Sequence, residues 1–273
     1  MTVSPDIVLR TTSATVPSPG GANQDLFLTG PRFALVLDGA TPEPGAATGC
    51  RHDVPWLVAE LAGQLGQRCL ADGDRRTPVA VLLGEALTAV ATSHGRTCDL
   101  DNPCSPSATL ALLLLRDDTA EYAVLGDSTV ALGRADGTVH AVTDDRLDRL
   151  IHLPWAELRG YRNRPGGFWV AGARPEAADH AVTGNAYLPG LTEVALLTDG
   201  ATRVVERYGQ SWGDLFGLLR TGGPTALIAR TREYERDTEP GRYPGKHHDD
   251  ATAVYCRIED AATGRPPGDA PTD

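Results

Sequence analysis

Two segments of the chain read almost alike: FALVLDGAT from Phe33 to Thr41, and VALLTDGAT from Val194 to Thr202. Each is an apolar run of strand type that ends in Asp-Gly. A strand buried on both faces holds its last residue rigidly, and the glycine after it lets the backbone turn and leaves a carbonyl open. Such an end offers two oxygen donors, the carboxylate and the C=O. Comparable offers recur at Asp127 in VLGDS and at Asp249-Asp250 in HHDD, just ahead of TAVY. A further acid, Asp25 in GGANQDLF, precedes a short strand. Any one of these alone reads as an ordinary turn. If the strands lie side by side, however, the carboxylates converge at one edge. An unpaired cluster of that kind repels itself and pushes protons onto some members. Hard cations such as Mg2+ and Mn2+ relieve it, because they take carboxylate, carbonyl and water ligands.

The rest of the chain supplies strands and helices in a grouped order. Short β-branched or aliphatic runs predict strands at 7–14, 25–28, 33–37, 109–115, 122–125, 129–132, 139–142, 194–197 and 252–257. Between them, Asp53 to Leu70 places Val54, Leu57, Val58, Leu61 and Leu65 on one face, with Asp53 as N-cap. Thr77 to His94 predicts a second helix, capped by Thr77 with Pro78 at its first position. Thr143–Leu153 and Pro224–Glu235 are further helix candidates. Consecutive helices flanked by locally pairing strands favour an α+β sandwich over an alternating βαβ fold. One domain over 1–258 is expected, with a tail from 259 to 273 that lacks large apolar residues and is expected to be disordered.

Charge and cysteine usage narrow the setting. The formal net charge is -11, so no global field attracts nucleic acid or an anionic membrane. Five scattered cysteines without a CxxC pair argue against a disulfide framework or a zinc knuckle. The start of the chain lacks the basic and apolar regions of a signal peptide, and LALLLL is far too short to span a bilayer. The expectation is a soluble protein of the reducing cytoplasm.

Taken in order, NQD, VLDG, S-A-T before a strand, LGDS, TDG and DDAT resemble the metal-dependent type 2C serine/threonine phosphatases, from about Gly20 to Arg257. The resemblance implies a four-layer α-β-β-α sandwich of two antiparallel sheets flanked by helices. It also implies hydrolysis of phosphoserine and phosphothreonine by a hydroxide bridging two Mn2+ or Mg2+ ions. Asp38 is similar to the carboxylate bridging both metals, and the Gly39 carbonyl to a ligand of the second. Asp199 and Asp249 resemble the remaining ligands of the first metal, and Asp127 resembles a ligand of a third, weaker ion. Asp25 resembles an acid that holds metal-bound water, whereas Asp250 is expected to be structural. The substrate is then a phosphorylated protein.

The likeness departs from the family at the substrate side. Gly20 stands where the family has a phosphate-gripping Arg, and the loop ATPEPGAATGCRH replaces the usual glycine- and histidine-rich continuation after Asp-Gly. Arg51 is a candidate phosphate ligand, and His52 is a candidate proton donor or else a helix-start capping residue. Arg162 and Arg164, in RNRPGGFWV, are candidates for steering phosphate, although the same loop also reads as a solvated excursion anchored by Phe168 and Trp169. His247 and His248 are expected beside the site rather than in it. Two alternatives stay open: a small phosphorylated metabolite as substrate, or a catalytically weak relative that binds a partner.

Overall fold

The computed structural model describes residues 7–42, 45–72, 76–95 and 97–265, apart from the side chain of Trp155. In chain order the elements are β1 (Ile7–Val16), β2 (Leu26–Thr29), β3 (Phe33–Gly39), α1 (Val54–Asp72), α2 (Val79–Ser93), β4 (Ala108–Leu115) and β5 (Thr119–Leu125). There follow β6 (Thr129–Arg134), β7 (Val139–Val142), α3 (Trp155–Leu158), β8 (Val182–Tyr187), β9 (Leu191–Leu197), α4 (Asp199–Glu206), α5 (Trp212–Asp237) and β10 (Ala251–Asp260). One sheet is ordered β1-β10-β9-β6-β7 and the other β2-β3-β4-β5-β8. Every neighbouring pair is antiparallel.

Strand β3 shows why four layers form. Its side chains alternate, so Phe33, Leu35 and Leu37 pack beneath α1 and α2 with Leu57, Leu61, Leu83 and Leu87. Ala34 and Val36 face the other way and meet Val194, Leu196, Val254 and Cys256 of the second sheet. That second sheet turns Ala195, Leu197, Ala253 and Tyr255 outward against α4 and α5. Three apolar interlayers therefore separate four layers, and an apolar run with no polar alternation is what a strand between two such layers needs. The architecture is the expected α-β-β-α sandwich.

Strand direction then decides where the acids go. In one sheet Leu26 pairs with Leu37, Asp38 with Thr109 and Leu110 with Leu125, so β2 and β4 begin where β3 and β5 end. In the other, Leu197 pairs with both Thr129 and Ala253, so β6 and β10 begin where β9 ends. The β5–β6 turn, which contains Asp127, joins the sheets at that same end.

Some expectations need correction. Residues 143–153 form successive turns rather than a helix. Asp144 accepts from its neighbour's backbone, Arg146 N at 3.1 Å, and the Arg146 guanidinium clamps the same carboxylate. That local bonding competes with helix formation. Pro78, not Thr77, is the N-cap of α2, and Thr77 N instead donates to Asp72 Oδ1 at 3.2 Å. Asp53 does cap α1, accepting from Trp56 N at 2.9 Å. The 224–235 helix is the second half of α5, broken at Gly223, whose φ of 70° marks the kink before Pro224. Strand β8 was not predicted, because it is an exposed edge strand (VTGNAY) that pairs only with β5 and lacks an apolar run. Finally, β10 continues through Glu259 and Asp260, two residues into the expected tail, because they pair with Val8 and Ile7. Residues 266–273 of that tail lie outside the described residues.

Candidate active site at the ends of the strands

Asp38, Asp127, Asp199 and Asp249 are each half-buried at the shared end of the two sheets, with Asp25 buried beside them. Their mutual electrostatics show the convergence. Burial pushes the Asp38 carboxyl well above its ordinary range, and the charges of Asp25, Asp199, Asp127 and Asp249 push it further. Burial likewise raises Asp127 to about 8, with Asp199, Glu206 and Asp148 adding to the rise. Asp25 is raised to about 7 by burial, with Asp250 and Asp199 contributing, although hydrogen bonds from Thr252 and Thr198 oppose the rise. Asp199 is raised by burial and by Asp249, and its side chain is within hydrogen-bonding reach of Asp38. These five acids, distant in sequence, form one electrostatic unit.

The local structure explains why glycine follows two of them. A Cβ on Gly200 would lie 2.0 Å from the Asp250 carbonyl oxygen, and one on Gly39 would lie 2.5 Å from the Gln24 carbonyl oxygen. Both positions therefore demand the absence of a side chain. Their role is close backbone approach between neighbouring segments. Unlike Asp38, which closes β3, Asp199 opens a helix: α4 starts at this residue, capped by Thr198. Thr198 makes no capping bond because its hydroxyl is used elsewhere. It donates to Asp25 Oδ2 at 2.9 Å and accepts from Thr252 N at 2.9 Å.

Asp249 and Asp250 divide their tasks. Asp250 accepts from Ser18 N and Gln24 N, each at 2.7 Å, and so fastens the segment leading to Asp25. It is structural, as expected. Asp249 instead faces two cations. Arg203 Nη2 lies 3.3 Å from its Oδ2 and Lys246 Nζ lies 2.8 Å from its Oδ1. Arg203 is almost wholly buried and is also tied to Glu235 at 2.6 Å. Burial alone would lower the Lys246 pKa, yet Asp249, Asp38 and Asp199 together raise it. Lys246 Nζ also donates to Thr41 Oγ1 at 3.1 Å, which places this ammonium across the mouth of the cluster.

Other sequence candidates have different company. His52, suggested as a proton donor, stacks on Trp56 at 3.8 Å, and its Nδ1 lies 3.7 Å from Cys50 Sγ, 3.6 Å from Cys98 Sγ and 3.3 Å from His94 Nδ1. Exposed Arg51, suggested as the phosphate ligand, donates from Nε to His52 Nε2 at 3.3 Å. Both residues are thus drawn to a Cys/His cluster beyond the loop, and the structure gives no contact between either and the acids. Arg162 is committed to Ser105 and Ser107 at 2.8–2.9 Å, whereas Arg164 is exposed. Phe168 and Trp169 are buried and anchor that loop. His248 Nδ1 bonds Glu235 at 2.8 Å, behind Arg203, so it stands beside the site. Sequence reasoning missed Lys246, Arg203, Glu206 and Asp148. Burial raises the Glu206 carboxyl despite its Thr202 hydrogen bond, with Asp199 and Asp148 adding to the rise. Glu206 lies two helical turns after Asp199, a spacing that was available as a signal once α4 was recognised.

The donor set fits divalent cations. Asp25 Oδ1 and Asp199 Oδ1 are buried without a hydrogen-bond partner, a costly state for carboxylate oxygens. An all-oxygen set suits Mg2+ or Mn2+ over softer metals. Asp38, Asp199, Asp249, Asp127 and the Gly39 carbonyl are the groups that would hold such ions.

Comparison with known proteins places the chain in a family. The family model described as Protein phosphatase 2C matches residues 18–230. Comparison with curated proteins gives no match. Among solved structures, the serine/threonine phosphatase PstP/Ppp of Mycobacterium tuberculosis is 16% identical with a TM-score of 0.60, covering 92% of this chain and 98% of that one. A catalytic domain of PstP in complex with two manganese ions is also 16% identical, with a TM-score of 0.55 and coverage of 92% and 99%. PppA of Pseudomonas aeruginosa is 18% identical at a TM-score of 0.57, covering 92% and 99%. These structures share the fold, and the family match covers most of the sequence: the chain belongs to the protein phosphatase 2C family, whose members are metal-dependent phosphatases.

Proposed function

We propose that this protein hydrolyses phosphoserine and phosphothreonine monoesters in proteins, using two Mn2+ or Mg2+ ions held by Asp38, Gly39, Asp199 and Asp249, with Asp127 serving a third. The observation that carries the reading is the convergence of four carboxylates at the strand ends, with Asp199 Oδ1 and the neighbouring Asp25 Oδ1 buried without a hydrogen-bond partner. When bound, the ions supply Lewis-acid charge for phosphoryl oxygens and an activated water near neutral pH. The chain's own groups do the rest. Asp25, with Oδ2 held by Thr198, keeps Oδ1 free to accept a hydrogen bond from water and so orient it. Lys246 takes the part for which Gly20 offers no side chain. Its ammonium, now 2.8 Å from Asp249 Oδ1, would donate to a phosphoryl oxygen where cations held by the acids take that carboxylate. The half-buried, open setting of the four carboxylates suits a phosphorylated side chain on a large substrate. The five cysteines, free of disulfides, suit a reducing cytoplasm.

The test is hydrolysis of an aryl phosphate, a phosphothreonine peptide and small sugar phosphates, with Mn2+, with Mg2+ and with chelator. Asp38→Ala is expected to abolish metal-dependent turnover. Lys246→Met is expected to raise KM about tenfold or more with a smaller change in kcat, the loss of one charge-assisted contact. Peptide turnover well above that of sugar phosphates supports the proposal, and the reverse order moves the substrate to a small metabolite. Metal binding without turnover of any of these esters leaves a binding module.

A further inference from the structure

Away from the carboxylates, four side chains meet whose chemistry the phosphatase reading does not use. Cys50 and His52 lie in the loop before α1, and His94 and Cys98 lie at the end of α2 and just beyond it. One ligand atom from each falls within 4.8 Å of the others. The two imidazole Nδ1 atoms are 3.3 Å apart. Cys50 Sγ lies 3.4 Å from His94 Nδ1 and 3.7 Å from His52 Nδ1, and Cys98 Sγ lies 3.6 Å from His52 Nδ1.

These spacings match a tetrahedral zinc shell. With Zn–S about 2.3 Å and Zn–N about 2.0–2.1 Å, tetrahedral edges come to about 3.3 Å for N–N and about 3.5 Å for S–N. The S–S edge, 3.1 Å here, departs most among the distances given, from a tetrahedral value of about 3.8 Å. We propose that Cys50, His52, His94 and Cys98 bind a structural Zn2+ ion that pins the loop after the Asp38-Gly39 end to the C-terminal end of α2.

The surroundings suit that ion. His52 N donates to Cys50 Sγ at 3.3 Å, a bond that favours thiolate over thiol. Trp56 supports both rings, stacked on His52 at 3.8 Å and edge-on to His94 at 4.7 Å. His94 is almost fully buried, which fixes its ring orientation. Ligation through His52 Nδ1 leaves the proton on Nε2, and the exposed Arg51 side chain then turns away from it. Four protein donors leave no open position, so the ion is structural rather than catalytic. The thiolate and imidazole donors select zinc over the Mg2+ or Mn2+ suited to the all-oxygen cluster. The same loop is also held by Asp99 N to Gly49 O at 2.8 Å and Asn102 Nδ2 to Ala47 O at 2.9 Å, so the ion closes an already ordered contact. A CxxC search of the sequence gives no sign of this cluster, because its residues come as a C-x-H pair and an H-x3-C pair separated by the whole helical hairpin.

The test uses native mass spectrometry and metal analysis on the full chain, alongside Asp38→Asn, which disables the carboxylate cluster. A single tightly held zinc per chain is expected in both proteins. It is expected to be lost in Cys98→Ser and in His52→Asn, with a melting temperature several degrees lower. A spectrum of the Co2+-substituted wild type guards against misfolded variants: thiolate-to-metal charge transfer and tetrahedral d–d bands are expected, and Asp38→Asn should keep them. Three results would overturn the proposal: zinc that disappears with Asp38→Asn, a Co2+ spectrum without thiolate bands, or a mass lighter by the two hydrogens of a Cys50–Cys98 disulfide. None of these readouts depends on phosphatase activity.

Discussion

Asp249 and Asp250 are adjacent in the chain, yet their neighbours give them separate consequences. Asp250 binds two backbone N–H groups, and removing it leaves both without their carboxylate. Asp250→Ala is therefore expected to cost roughly 2–4 kcal/mol in urea unfolding, since hydrogen bonds to a charged group contribute about 1.5–3 kcal/mol each and do not simply add. Asp249→Ala is expected to weaken ion binding, read by calorimetry, with a smaller loss of stability, because Arg203 retains Glu235. Equal stability losses in the two variants would contradict this division. The resemblance gave the pair different expected roles, one aspartate for metal and one for structure, and the two backbone N–H bonds of Asp250 fit the second. The sequence could not show Lys246, whose place depends on how the 241–250 segment folds back over Thr41. Nor could it reveal that His52 turns toward His94 and Cys98, because those residues lie more than forty positions away in the chain.

At the scale of elements, the junction between β9 and α4 depends on one hydroxyl. Thr198 bonds Asp25 across to the other sheet and receives the Thr252 amide from β10. Thr198→Val keeps the shape but removes the oxygen, leaving a buried amide and carboxylate short of a partner. A loss of about 2–3 kcal/mol is expected from denaturant melts, and Thr198→Ser is expected to recover most of it. If both substitutions were equally mild, the hydroxyl would not be the joint. Strands buried on both faces, such as β3, β4 and β9, were legible because nothing but an apolar run satisfies two apolar interlayers. Elements with one wet face were harder to read. Strand β8 hides its pattern at a sheet edge, and the 143–153 segment has helical composition but spends its polar side chains on turns. Helix α4 was missed because its first residue looked like the end of a strand.

For the whole molecule, the acidic cluster links folding to pH. A carboxyl whose pKa is higher in the folded than in the unfolded chain takes up a proton on folding, so its penalty is absent at low pH and grows as pH rises. Burial and mutual repulsion raise Asp25 to about 7 and Asp127 to about 8, with Asp38 and Asp199 also raised. The metal-free protein is thus expected to lose thermal stability from about pH 4 to about pH 8. Burial also raises Asp72 and Glu235, but their hydrogen-bond and Arg partners outweigh it and hold both below the ordinary range. These two therefore act in the opposite sense, at the acid end. Melting curves in chelator across this window check the slope. Asp38→Asn and saturating Mg2+ are each expected to flatten it, and a slope unchanged by either would remove the cluster as its source.

The donors also hang from two separate slabs. Asp38 extends from one sheet, Asp199 and Asp249 border the other, and the surface between the sheets is lined by apolar side chains such as Ala34, Ala111, Val194 and Val254. An ion shared by all three aspartates would behave as an alignment gauge. Its affinity would measure how squarely the slabs sit, so a substitution deep in that greasy seam, far from any donor, would detune the ion site by letting one slab slip against the other.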